Sequence, residues 1–166
     1  QRLAHDGFIV LVNFVRGTAE AEALTTKING NGGLAYTVQA HVSDPMAVAR
    51  IFDLAQEKFG GVDALVNNGG IMKLQTMAQS EDDLFDSQIA INLKGTFNTL
   101  REAARRLRDG GRIINLSSSV VGLYLPTYSV YAATKAGVEA MTCVLAKELR
   151  GCNITGNAVA PGPTAT

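Results

Sequence analysis

Tryptophan is absent, and histidine and cysteine occur only twice each, at His5, His41, Cys143 and Cys152. With no Cys-x-x-Cys pair and no clustered histidines, the chain has no framework for a metal site and little for histidine-centred catalysis. Two thiols, one inside a predicted helix and one just after it, fit a reducing compartment better than a disulfide scaffold. An excess of one charge is missing too: 15 Lys and Arg balance 15 Asp and Glu. Such a balance gives no field to attract nucleic acid or an anionic membrane, so neither is an expected partner. No apolar run approaches the roughly 20 residues that cross a bilayer, and no charged-then-apolar leader opens the chain. The expected location is cytoplasmic. With 46% hydrophobic residues over 166 positions, the chain reads as a single domain, 1–166, or most of one.

Glycine, by contrast, is plentiful at 17 residues, and it punctuates a regular alternation. The opening QRLAHDG reads as the end of a helix closed by Gly7. Phe8 to Asn13 is a continuous, β-branched apolar run, the pattern of a strand buried on both faces. Thr18 can cap a helix over Ala19 to Asn29, and Leu34 to Ala40 makes a second strand. Asp44 followed by Pro45 opens a helix over Met46 to Phe59, with Val48, Ile51, Phe52 and Ala55 on one stripe. A third strand spans Val62 to Asn67. A long helix from about Glu81 to Arg108 starts with acids and ends with bases, as the helix dipole favours, and Gly110 and Gly111 close it. Arg112 to Leu116, Ser129 to Leu149 and Ile154 to Val159 read as strand, helix and strand. Strands alternating with helices argue an α/β fold with a parallel sheet and helices on both faces.

The densest chemistry lies between Gly111 and Gly137, GRIINLSSSVVGLYLPTYSVYAATKAG. Tyr131 and Lys135 are four apart on one helix, so they share a face. A fixed positive charge beside a phenol favours the phenolate, which brings a group that titrates near 10 toward general acid/base work. The serines at the strand end supply hydroxyls for an oxygen that gathers negative charge.

This stretch resembles the short-chain dehydrogenase/reductases, whose catalytic pattern sets a serine about thirteen residues before Tyr-x-x-x-Lys. Counting back from Tyr131 lands on Ser118, which is preferred over Ser119; Ser117 is a further neighbour. The resemblance implies a Rossmann-like, doubly wound parallel sheet in three layers, and an oxidoreductase that interconverts a carbonyl and a secondary alcohol. It implies Tyr131 as general acid/base, Lys135 as its tuner and a ligand of the nicotinamide ribose, and Ser118 on the substrate oxygen. Asn92 in INLKGTF would hold a water linking the lysine to solvent. The family's first strand and its glycine-rich TGxxxGIG loop are not in this chain, which is expected to be part of a longer protein. A missing central strand would leave a gap of about 10 Å between its neighbours.

The cofactor residues follow by position. In dinucleotide folds an acid at the strand end that Phe8 to Asn13 would match holds the ribose 2′-hydroxyl of NAD, and a base there accommodates the 2′-phosphate of NADP. Here Asn13 and Arg16 stand in that region with no acid before Glu20, so NADP(H) is favoured over NAD(H), unless Arg16 is only a solvated loop charge. His41 and Val42 in HVSD resemble the adenine segment DVxD, with histidine in place of its first acid. Asn67, Asn68, Gly69 and Gly70 look like NNAG, with Gly69 for alanine. Pro161, Gly162, Thr164 and Thr166 in NAVAPGPTAT match the segment that receives the carboxamide. Members of the family often pair through the long helix and the tyrosine helix, so a homodimer or homotetramer is implied. The remaining rim, Ile71, Met72, Leu123, Leu125 and Pro126, is apolar and does not identify the substrate. A cofactor-binding regulator, a catalytically silent relative and a truncated interaction protein are the competing readings.

Overall fold

The computed structural model describes residues 1–163; Thr164 and Thr166, expected at the carboxamide, lie outside them. A short helix α1 (Arg2–His5) leads into strand β1 (Ile9–Phe14), helix α2 (Thr18–Gly30) and strand β2 (Leu34–Gln39). Thr18 is the first helical residue of α2 and not its cap; Gly17 occupies the cap position with φ 78° and no side-chain cap bond forms. Helix α3 (Pro45–Phe59) begins as the Asp44-Pro45 pair predicts, with Asp44 Oδ1 accepting from the Met46 N–H at 2.8 Å. It ends at Gly60 in the left-handed region, φ 73°, a conformation that glycine adopts without penalty. Strand β3 (Val62–Asn67) follows at once.

The predicted long helix is a continuous run of three parts: α4 (Asp82–Gln88), a π-helical segment (Ile89–Lys94) and α5 (Gly95–Arg106). It stops two residues early, because Leu107 turns extended and pairs with Val62. Strand β4 therefore runs Leu107–Leu116, with a register shift against β3 that accommodates the segment read as helix end and glycine closure. The serine loop holds a short helix, α6 (Val120–Leu123); α7 (Ser129–Glu148) and strand β5 (Thr155–Val159) complete the described chain.

All strand pairs are parallel, in two sheets: β1 with β2, and β3-β4-β5. The expected interruption falls between β1 and β3, each of which pairs on one side only among the described residues. The main core is built where α3, α5 and α7 meet the larger sheet: Val48, Phe52, Leu100, Ala103, Leu107, Ile113 and Leu149 are buried together. Val48, Phe52 and Ala55 recur at helical spacing, which is why α3 turns that face inward. A smaller cluster of Ala4, Ile28 and Ala35 holds α1 and α2 on β2.

What matters for the site is that two strand exits reach the same part of α5. The Val42 carbonyl, just beyond β2, accepts from Asn98 Nδ2 at 2.9 Å, and Asn67, the last residue of β3, bonds Thr99 at 2.9 Å. Neighbouring residues of one helix thus tie the C-terminal end of β2 to that of β3.

Candidate active site

Beneath the strand ends runs a row of polar side chains that the sequence did not disclose. Thr99 Oγ1 donates to Asn67 Oδ1 at 2.9 Å, and Asn67 Nδ2 to Asn115 Oδ1 at 2.8 Å. Asn115 Nδ2 donates to Thr142 Oγ1 at 2.7 Å, and Thr142 to the Val138 carbonyl at 2.6 Å. The row crosses from α5 through β3 and β4 to α7. Each buried amide finds the partners that burial requires. The side chain of Asn67 is therefore committed to the frame under the site. The open main chain is that of Asn68, Gly69 and Gly70, all exposed.

Above this row, α7 presents Tyr131, Lys135 and, one turn further, Glu139 on one face. Lys135 is 6% exposed, and its Nζ donates to the Leu116 carbonyl at 2.6 Å. Its nitrogen lies 5.7 Å from the centroid of the Tyr131 ring. Burial pushes the Lys135 ammonium below the ordinary lysine value. Tyr131 is half-buried, with its ring edge-on to Tyr128 at 6.5 Å. Of the three serines, Ser117 is spent: its hydroxyl donates to Glu139 Oε1 at 2.5 Å. Ser118 Oγ accepts one long bond, 3.4 Å, from the Val120 N–H, so its own O–H remains available.

Asn92 neither points at solvent nor stands alone. It is 1% exposed, accepts from the Ile71 N–H at 2.8 Å, and donates to the Ile71 carbonyl at 2.8 Å and Thr134 Oγ1 at 3.3 Å. One turn earlier, Gln88 binds Lys73 in the same two-sided way, at 3.2 and 3.1 Å. Two amides spaced i, i+4 thus hold residues 71 and 73 of the loop after β3 as a neighbouring strand would. This pins Gly70 against the site. A Cβ there would lie 3.1 Å from Asn92 Oδ1 and 3.7 Å from Lys135 Nζ, so the absence of a side chain keeps the lysine approachable. On the far side of α7, Gly137 allows Leu93 to within 2.7 Å of where its Cβ would be, which seats the π segment on the helix.

The other expected residues are placed as follows. Arg16 is exposed beyond β1 and makes no ion pair among the described residues. His41 is exposed, with Nδ1 2.6 Å from Ser43 Oγ and accepting from the Ser43 N–H at 3.3 Å. Val42 packs against the main core and against Gly95. The Pro161 carbonyl accepts from the Ser119 N–H at 3.0 Å, which ties the strand-five exit to the serine loop, and Gly162 lies open. Beside α7, an apolar groove of about 590 Å³ is lined by Met77, Val121, Leu125, Pro126, Tyr128 and Ala132, but not by Tyr131 or Lys135.

These residues fit a dinucleotide on their own chemistry. Bare glycine main chain lies beside a buried lysine that, among the described residues, uses one of its three N–H donors, and a guanidinium with no ion pair among those residues stands beyond β1. Among the described residues there is no metal-binding cluster, and no helix is long and apolar enough to cross a membrane.

A family model described as short chain dehydrogenase matches residues 1–166. A short-chain type dehydrogenase/reductase from Picea abies is 43% identical over 174 residues, which cover 99% of this chain and 64% of the relative. An Arabidopsis thaliana protein described as NADPH-dependent aldehyde reductase-like and chloroplastic is 43% identical over 178 residues, covering 99% of this chain and 66% of its own. The crystal structure of a short chain dehydrogenase from Burkholderia cenocepacia, in complex with NADP, superposes with a TM-score of 0.94 at 35% identity, over 99% of this chain and 67% of that one. The chain thus spans slightly less than two thirds of the length of these curated relatives.

Proposed function

The chain belongs to the short-chain dehydrogenase family, and from that membership we propose that it serves an NADP(H)-dependent oxidoreductase interconverting a carbonyl and a secondary alcohol. The observation that carries this reading is the pairing of Tyr131 with a buried Lys135 on one face of α7, with the free hydroxyl of Ser118 at the adjoining strand end. In the reducing direction, the Tyr131 hydroxyl gives its proton to the carbonyl oxygen, and Ser118 donates a hydrogen bond to the same oxygen. The Lys135 charge offsets the negative charge left on the phenol oxygen when the proton has gone. When bound, NADPH supplies the hydride. Asn92 holds the loop that brings Gly70 to the lysine, and supports proton exchange with solvent from beside it.

NADP(H) over NAD(H) is supported by the exposed Arg16 and by the Arabidopsis and Burkholderia relatives, which are described with NADPH and NADP. His41, Val42, Asn68, Gly69, Pro161 and Gly162 line the dinucleotide in this reading, which treats residues 1–166 as one binding unit. Exposed Phe85, Phe97 and Val144 on α4, α5 and α7 support self-association through these helices, as a homodimer or homotetramer. Sedimentation tests it: Phe97→Glu is expected to shift the species to a lower mass, and an unchanged mass refutes this face. The cytoplasm remains the proposed compartment, supported by two free cysteines. Recovery with an organelle fraction refutes that.

The decisive test follows reduced-nicotinamide absorbance with a panel of aldehydes and ketones. Tyr131→Phe is expected to lower turnover by at least about a hundredfold while NADPH binding stays nearly unchanged. Retained turnover overturns the mechanism. A cofactor-binding regulator would bind NADPH without consuming it, and an interaction protein would not bind it.

A further inference from the structure

Three side chains of α7 hold three successive residues where β4 ends, Asn115 and Leu116 in the strand and Ser117 just after it. Thr142 accepts from Asn115 Nδ2 at 2.7 Å, Lys135 donates to the Leu116 carbonyl at 2.6 Å, and Glu139 accepts from the Ser117 hydroxyl at 2.5 Å. The first belongs to the polar row and the second to the reacting pair. Glu139 has no part in either. A helix–strand contact is ordinarily met by apolar packing, and a half-buried carboxylate there is costly unless its bond matters. The bond it makes, O–H to a charged oxygen at short range, is of the strong class.

Ser118 follows Ser117 directly, and among the described residues its own hydroxyl is held by the 3.4 Å contact with the Val120 N–H alone. Its place is therefore inherited from its neighbours. On one side the Ser119 N–H is tied to the Pro161 carbonyl at 3.0 Å. On the other, the Ser117 N–H donates to the Val159 carbonyl at 2.7 Å, and the Ser117 side chain reaches Glu139. Glu139 is the part of this suspension that stands on the same helix face as Tyr131, two turns away.

We propose that Glu139 is a positioning residue: through the Ser117 hydroxyl it sets the distance between Ser118 and Tyr131. The inference rests on the carbonyl-reduction reading above. A misplaced hydroxyl donor weakens the hold on the developing oxyanion without touching cofactor binding.

The test uses the protein at its full encoded length with Glu139→Ala, Ser117→Ala, the double variant and Glu139→Gln. Glu139→Ala and Ser117→Ala are each expected to lower kcat by about tenfold, with NADPH affinity unchanged. The double variant should be no slower than either, because both remove one bond. Glu139→Gln retains an acceptor and should recover most of the rate, which a merely structural carboxylate would not predict. In parallel, amide exchange at Ser117 and Ser119 should rise in Glu139→Ala and return in Glu139→Gln. Unchanged kcat and exchange in Glu139→Ala, additive losses in the double variant, or no recovery with glutamine each overturn the proposal. If the unsubstituted protein oxidises no NADPH with any carbonyl, the oxidoreductase reading falls instead. The exchange measurements then decide whether Glu139 holds the serine segment.

Discussion

Lys135 carries its charge where burial disfavours it, and that has a pH signature. Its folded pKa lies below the ordinary 10.5 because of desolvation, so between the two values the unfolded chain binds more protons than the folded one. Stability must then rise with pH across this window. Below it the full cost of the buried ammonium is present, and above 10.5 that cost is gone. Measured against Lys135→Met, the unsubstituted protein should gain denaturation midpoint as pH climbs from neutral toward the lysine range; a flat difference would contradict the desolvation. The same variant should lose turnover while remaining folded, a separation of stability from activity seen where a site holds a group under strain. The shared face of Tyr131 and Lys135 was legible in the sequence because one helix fixes their spacing, whereas Ser118 was picked out from its two neighbours by the family resemblance. Glu139 was not legible, since its partner Ser117 is 22 positions away and nothing in either neighbourhood marks the contact.

Among the elements, the helix of α4, the π segment and α5 shows most clearly what sequence can and cannot disclose. Its charges, acids from Glu81 and bases to Arg108, announced a single long helix, and the chain does run helically from Asp82 to Arg106. The shift to π hydrogen bonding left no compositional trace; only Asn92, a polar residue awkward in mid-helix, hinted that something specific was there. The end was misjudged for a different reason. Arg108 and two glycines look like a helix terminus, but the pairing of Leu107 with Val62 is a tertiary contact that overrides local preference. Gln88 provides a test at this scale. Fully buried and bound to both main-chain groups of Lys73, it leaves those groups unpaired if truncated. Gln88→Ala should destabilise by about 2 to 6 kcal/mol, from two stranded main-chain groups at about 1 to 3 each, and should speed proteolysis between residues 71 and 76. Calorimetry and timed digestion check the two arms.

For the whole molecule, the division of the sheet governs which parts open first. β4 is paired on both sides and contains Ile113 at 1% and Asn115 at 0% exposure, whereas β1 and β2 form only a two-stranded ribbon with Ile9, Leu34 and Tyr36 exposed. Two-stranded ribbons are marginal, and local stability follows contact density. In the 166-residue polypeptide, amides of Leu11 and Thr37 should therefore exchange well before those of Ile113 and Ile114, as peptide-resolved deuterium uptake would show. Equal protection across both sheets would contradict this. The alternation of strand and helix was readable throughout, because it is written in apolar period and glycine placement. The row from Thr99 through Asn67 and Asn115 to Thr142 was not, since threonines and asparagines become a chain only once three layers bring them together. That row limits how the family member can drift. Apolar replacement at one link strands the neighbours' dipoles at about 1 to 3 kcal/mol apiece, while replacement of all four together is nearly neutral. Intermediate sequences lie in a trough between two viable solutions, and a library built one codon at a time should find these four sites frozen.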